Sequence, residues 1–173
     1  MKSKKELILE TALDLFAKKG FSATSTAKIA KAAGVSEGLI FRHFSNKEGL
    51  LHATMEVGKQ KGLALLQMME EYTSSKDQLK YILEIPFKIP KEEYPFWKLL
   101  YALKWQADQY DDEIFSQLEL KLIEIFKKLN HQEPELESAF IMILFDGVAT
   151  SILLKNQSNK KELEQLILAK YYL

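Results

Sequence analysis

Residues 24–47, TSTAKIAKAAGVSEGLIFRHFSNK, decide how the rest of this chain is read. Thr24 or Ser25 can cap a short helix whose inward positions are Ile29, Ala30 and Ala33. Gly34 supplies the backbone freedom that a sharp turn needs, and Val35 is apolar enough to tuck into the corner. Ser36 is a good N-cap for a second helix, with Glu37 favourably placed in its first turn. Ile40 and Phe44 lie four residues apart and share an inward face, which leaves Glu37, Gly38, Leu39, Phe41, Arg42 and His43 on or near the outer one. Two short helices around a glycine turn form a helix-turn-helix, whose second helix can enter a DNA major groove. The same pattern also serves as plain structure, so the turn alone leaves both readings open.

The next residues favour the functional reading. Ser45-Asn46-Lys47-Glu48 reads as a capping box, so a further helix starts there with free amide groups. A lysine beside those amides makes an anion site suited to a DNA phosphate.

From about Leu7 to Leu51 the sequence resembles the DNA-binding domain of TetR-family transcriptional regulators. The stretches that carry the resemblance are ILETALDLFAKKGF at 8–21, ATSTAKIAKAAGVS at 23–36 and GLIFRHFSNKEGLL at 38–51. It implies an all-α protein: a three-helix head at residues 1–50, joined by a long helix to a ligand-binding and dimerisation part at 51–173. It further implies a homodimer on a palindromic operator and a small-molecule ligand that releases it. The DNA-contacting candidates are then Thr24, Ser25, Thr26, Ser36, Glu37, Gly38, Leu39, Phe41, Arg42, His43 and Lys47. Where relatives often carry Lys, Thr and Tyr, this chain has Glu37, Leu39 and Phe41, and Ala27 stands where some have a base-reading Arg. Direct readout would then rest mainly on Arg42 and His43, with Glu37 able to accept from cytosine and Leu39 and Phe41 pressing on sugars or a thymine methyl.

Charge is distributed in keeping with that reading. The 173 residues are neutral overall, but residues 1–50 hold nine Lys or Arg against five Asp or Glu, so +4, and the remainder is −4. A basic quarter on a neutral chain is the footprint of a nucleic-acid module attached to something else. Among the 24 basic residues Arg42 is the single arginine. Its planar fork matches guanine O6/N7 or a phosphate, where a lysine offers only a point charge; pairing with a nearby carboxylate is the bland alternative. The chain has no cysteine, which excludes disulfides and thiolate metal sites. MKSKKELILE at 1–10 lacks the apolar run of a signal peptide, so a cytoplasmic protein is expected.

Outward from the core stretch, Ser3-Lys4-Lys5-Glu6 is a capping box for a helix to about Lys19, with Ile8, Ala12, Leu15 and Phe16 inward and Gly20 as its stop. Lys2, Lys4 and Lys5 are within reach of a DNA backbone or simply solvated. Asn46 to about Tyr72 reads as one helix ~40 Å long, with Gly58 and Gly62 as bends or close-packing points. Further helices are expected at 76–85, ended by Pro86, and at 92–108, 111–129, 139–154 and 159–172. In the second of these, Trp97, Tyr101 and Trp105 fall on one stripe, which is either core or the wall of a cavity for a flat or greasy ligand, with Gln106 and Gln109 as polar contacts. Asp108, Asp111, Asp112 and Glu113 lack a metal-loop spacing. The segment Ala139–Leu154 is apolar nearly all round, too short for a membrane span, and with 159–172 it forms a candidate four-helix dimer interface.

An enzyme is not expected. His43, His52 and His131 are the only histidines, and no phosphate loop, HExxH or nucleophile elbow occurs. Glu48 and His52 suit a surface ion pair better than a metal, and no cofactor is implied. The rival reading is a helical module that binds only protein partners.

Overall fold

The computed structural model describes residues 2–103, 113–155 and 158–173, and helices are the only regular structure among them. In chain order these are α1 (Lys4–Lys19), α2 (Thr26–Ala33), α3 (Glu37–Phe44), α4 (Lys47–Met68), a single 3-10 turn (Met69–Glu71) and α5 (Ser75–Lys88). A second 3-10 turn (Lys91–Glu93) leads into α6 (Tyr94–Leu103), followed by α7 (Glu113–Lys128), α8 (Pro134–Leu154) and α9 (Lys160–Lys170). The chain divides into two compact units, one from Met1–Gln60 with Glu92–Tyr110, the other from Lys61–Lys91 with Asp111–Leu173.

In the first unit, the Ser3 hydroxyl accepts from the Glu6 amide while the Glu6 carboxylate accepts from the Ser3 amide, the capping box expected for α1. Gly20 ends that helix at φ 80°, and Phe21 folds back to Phe16 with ring centroids 5.4 Å apart. Ile8, Ala12 and Phe16 of α1 meet Ile29, Ala30 and Ala33 of α2, Ile40 and Phe44 of α3, and Leu50 and Leu51 of α4 in one core. Each large member contributes about 1.5–3 kcal/mol by leaving water. Leu99 of α6 belongs to the same core, so this unit takes in a helix far along the chain. Gly58 seats the Phe96 ring directly on the α4 backbone: a Cβ there would lie 1.6 Å from Phe96 Cε2. Close packing, not bending, explains this glycine.

In the second unit, α5, α7, α8 and α9 enclose Leu79, Ile82, Leu83, Leu122, Ile125, Phe126, Ile141, Val148, Ile152 and Ile167. Gly62 gives way to Ile114, whose Cδ1 would lie 2.7 Å from an added Cβ. The fully buried Ser138 donates its hydroxyl to the Glu119 carbonyl at 3.1 Å, tying α8 to α7.

Three element boundaries differ from the sequence expectation. Helix α5 runs through Pro86 to Lys88, because a proline removes one amide bond but does not forbid a last half-turn. Helix α4 gives way to a 3-10 turn at Met69, short of Tyr72. Helix α8 begins at Pro134, a residue suited to the first helical turn, and its 21 residues are long and apolar enough to cross a membrane by length and composition. The expectation that this segment is too short to span is therefore corrected; Asp146 still lies within it.

Candidate nucleic-acid interface

Ser25 is the N-cap of α2 and its hydroxyl accepts from the Lys28 amide at 3.3 Å. Gly34 then adopts the left-handed conformation, φ 64° and ψ 36°, and the Val35 amide bonds back to the Ala30 carbonyl at 3.0 Å. That closes the turn with a geometry only glycine adopts freely. Ser36 takes the N-cap position of α3, but its hydroxyl makes no capping bond and stays exposed.

On α3, Ile40 and Phe44 are buried while Gly38, Phe41, Arg42 and His43 are exposed, Phe41 at 45%. Arg42 has no ion pair or hydrogen bond among the described residues, so the bland alternative of carboxylate pairing is not what this structure holds. An uncommitted guanidinium beside an exposed ring on the outer face of a short helix is a surface that can read base edges and press on sugars. Glu37 is half-buried and accepts a 2.6 Å hydrogen bond from the Thr26 hydroxyl, which clips the starts of α2 and α3 together. Leu39 is only partly exposed and packs against the core, so it contributes less to the outer face than its sequence position suggests.

Two expected DNA contacts are placed differently. Thr24 is 1% exposed and donates its hydroxyl to the carbonyls of Gly20 and Leu15, at 2.9 and 3.3 Å. It is a tie between α1 and α2 and offers no side chain to DNA. Lys47, expected against a phosphate, is half-buried with Nζ 2.9 Å from the Phe21 carbonyl oxygen and 4.1 Å from the centroid of the Phe21 ring. Its ammonium pins the start of α4 to the α1–α2 corner. Ser25, like Ser36 and the outer residues of α3, is exposed, and Lys4 and Lys5 are exposed beside the α1 N-cap.

The junction of α3 and α4 carries features that the sequence reading missed. Ser45 sits at φ 67° and ψ −46°, and the next amide, Asn46 N–H, bonds the Phe44 carbonyl at 2.8 Å. This is a γ-turn of the rare positive-φ kind, strained for a residue with a Cβ. Asn46, not Ser45, caps α4, its Oδ1 accepting from the Gly49 amide at 2.6 Å, so the expected capping box with Glu48 does not form. A Cβ on Gly49 would lie 2.1 Å from the Phe44 carbonyl oxygen, which is why the first turn of α4 carries a glycine. A glycine inside a helical pattern was the available signal, since it costs helix stability unless something approaches closely.

Of the aromatic stripe, Trp97 and Tyr101 are buried, at 6% and 8%, while Trp105, Gln106 and Gln109 lie outside the described residues. The Trp97 indole N–H is buried without a hydrogen-bond partner among the described residues. Its ring stands edge-on to Phe96, centroids 5.0 Å apart.

A three-helix head with a glycine turn and an open, arginine-bearing second helix defines a helix-turn-helix DNA-binding protein. Residues 8–54 match the profile of bacterial regulatory proteins, tetR family. Over these residues the chain is similar to that family's N-terminal domain. It is 48% identical over 56 residues to an uncharacterized HTH-type transcriptional regulator, YerO, of Bacillus subtilis (strain 168), covering 32% of this chain and 19% of that protein. It is 28% identical over 149 residues to the fatty acid metabolism regulator protein of the same organism, covering 83% of this chain and 64% of that one. The match thus spans less than two thirds of either relative's length. Among solved structures, a TetR-like transcriptional regulator from Rhodococcus sp. RHA1 superposes with a TM-score of 0.84 at 20% identity, over 96% of this chain and 92% of that one. The fatty acid degradation regulator FadR of Bacillus halodurans gives 0.76 at 21% identity, over 98% and 94%.

Proposed function

We propose that this chain is a transcriptional repressor that holds a palindromic operator as a homodimer and is released by a small molecule. Residues 1–50 are its reading head and residues 51–173 its ligand-binding and dimerisation part. The observation that carries the reading is Arg42: the chain's single arginine stands exposed on the outer face of α3, with no partner among the described residues. Ser25, Thr26, Ser36 and Gly38 position the head on phosphates, while Glu37, Phe41, Arg42 and His43 supply base and sugar contacts.

The ligand is apolar with a hydrogen-bond acceptor. Support comes from the buried Trp97 and Tyr101 and from the indole N–H that has no partner among the described residues, since a buried donor left unmade is costly. The two relatives named for fatty acid metabolism or degradation are in keeping with a greasy ligand. Leu99, on the same helix, packs in the core of the reading head, so a ligand that moves α6 acts on that core as well as along α4. The cell interior is the proposed location, because that is where an operator is met.

Selection of bound fragments from a random DNA pool tests the proposal. The expected result is a palindrome with half-sites one helical turn apart or a multiple of it. Absence of enrichment, with no loss of DNA affinity in Arg42→Ala, would instead identify a protein-interaction module.

A further inference from the structure

The starts of α2 and α3 are joined by a hydrogen bond that also fixes a charge. Thr26, the first residue of α2, donates its hydroxyl to Oε1 of Glu37, the first residue of α3, at 2.6 Å. Both side chains are half-buried, so the bond keeps the carboxylate in one orientation. The other oxygen, Oε2, has no hydrogen bond or ion pair among the described residues and is not enclosed. Phe41, four residues on and 45% exposed, shares its face. Gly38 follows Glu37 and is exposed, and a Cβ added there would meet nothing within 4 Å. Gly49, Gly58 and Gly62 each make room for an atom of their own chain. Gly38 lowers the propensity of an eight-residue helix without any such reason among the described residues.

We propose that Glu37 reads the amino group of a cytosine, aimed by Thr26 as its positioning residue, and that Gly38 lets the start of α3 close on that base pair. The inference rests on the DNA reading of the proposed function and assigns one position in each half-site. Oε2 is an acceptor only, and cytosine N4 is a major-groove donor. Guanine O6 and N7 and thymine O4 are acceptors, so they meet the carboxylate with like partial charge and are rejected. Adenine sets its N6 donor beside the N7 acceptor and ranks between them. The first turn of α3 and the Thr26 proton both offset the repulsion between a carboxylate and the DNA phosphates. A hydroxyl has one proton to donate. With that proton on Glu37, Thr26 meets a phosphate through its main-chain amide, which has no partner inside α2.

Fragment selection with the full chain, followed by competition binding on variants of the selected operator, tests this. The wild type should select cytosine at one fixed position of each half-site, and guanine there should weaken binding roughly 10-fold or more. Glu37→Gln keeps an acceptor for Thr26 and puts an amide donor where Oε2 stood, so cytosine preference is lost and guanine or thymine is admitted. Thr26→Val keeps the shape and removes the proton. Its cytosine-over-guanine ratio should fall roughly 3- to 10-fold at that position while preferences elsewhere hold, and Thr26→Ser should restore it. Gly38→Ala improves helix propensity, so its urea midpoint is retained or rises, yet operator affinity should fall roughly 10-fold or more. Cytosine preference that survives Glu37→Gln overturns the readout. A Thr26→Val chain that loses affinity equally for every sequence holds phosphate with its hydroxyl, which overturns the positioning role. Unchanged affinity in Gly38→Ala overturns the close approach. In these three cases the wild type still selects a palindrome, so operator binding stands. No enrichment by the wild type overturns that reading and this inference with it. Should Thr26→Val fail to fold, the Glu37→Gln selection decides.

Discussion

Lys47 separates two accounts of how the reading head is held. The sequence expectation puts its ammonium on a DNA phosphate, whereas the structure commits it to the Phe21 carbonyl and ring. The perturbation that distinguishes them is Lys47→Met, which keeps the aliphatic stem and removes the charge. A hydrogen bond from a charged group contributes about 1.5–3 kcal/mol, and a cation over a partly exposed ring about 0.5–1 kcal/mol. Both involve one ammonium on a half-buried side chain, so they are not summed, and solvent screening lowers the total. The expected loss is about 1–2 kcal/mol of stability, borne by the unit that contains α1 to α3.

Urea unfolding of the free protein reads that loss, and a salt titration of operator affinity reads the phosphate role. If Lys47 holds the corner, the midpoint falls and the slope of log affinity against log salt is unchanged. A lysine seated on a phosphate would, once replaced, lower that slope by ~0.9 for each phosphate no longer neutralised. Unchanged urea stability together with a slope reduced by that amount would refute the corner role and restore the phosphate one.

Ser45→Gly should stabilise the free protein by about 1 kcal/mol, measured by urea unfolding, because a positive φ costs a Cβ-bearing residue more than glycine's added chain entropy. Gly58→Ala should cost about 1–3 kcal/mol in the same assay, since its methyl must displace the Phe96 ring. Arg42→Ala should lower operator affinity by about 1–3 kcal/mol and relax preference at one base pair if the fork reads a base, seen by fragment selection with the variant. Tyr171 donates to the Glu137 carboxylate at 3.1 Å, and burial, then the Glu137 charge, raise its phenol above the ordinary value of 10.0. A raised acid favours the neutral form in the folded state, so its contribution is complete below about pH 10 and is lost as pH rises from there. Thermal unfolding across pH 9–11 should show an alkaline decline that Tyr171→Phe reduces.

What was legible in the sequence is what local rules write. Gly34 between two short apolar patterns, Ser3 three residues before Glu6, and Gly20 before Phe21 each specify a turn or cap through bonds within a few residues, and each formed as expected. The inward positions of α1, α2 and α3 followed from period alone. The places that diverged depend on partners distant in sequence. Thr24 is buried because the carbonyls of Leu15 and Gly20 converge on its hydroxyl, and Lys47 turns inward because Phe21 is there, across 26 residues of sequence. Nothing in a linear pattern distinguishes a lysine that faces a phosphate from one that faces a carbonyl. The same limit explains the α3–α4 corner, where the capping box pattern at Ser45 is overruled by a γ-turn that the tertiary fold imposes. The glycines were the readable trace of these distant partners. Gly49, Gly58 and Gly62 each cost helix propensity, and each is accounted for by an atom lying where a Cβ would be.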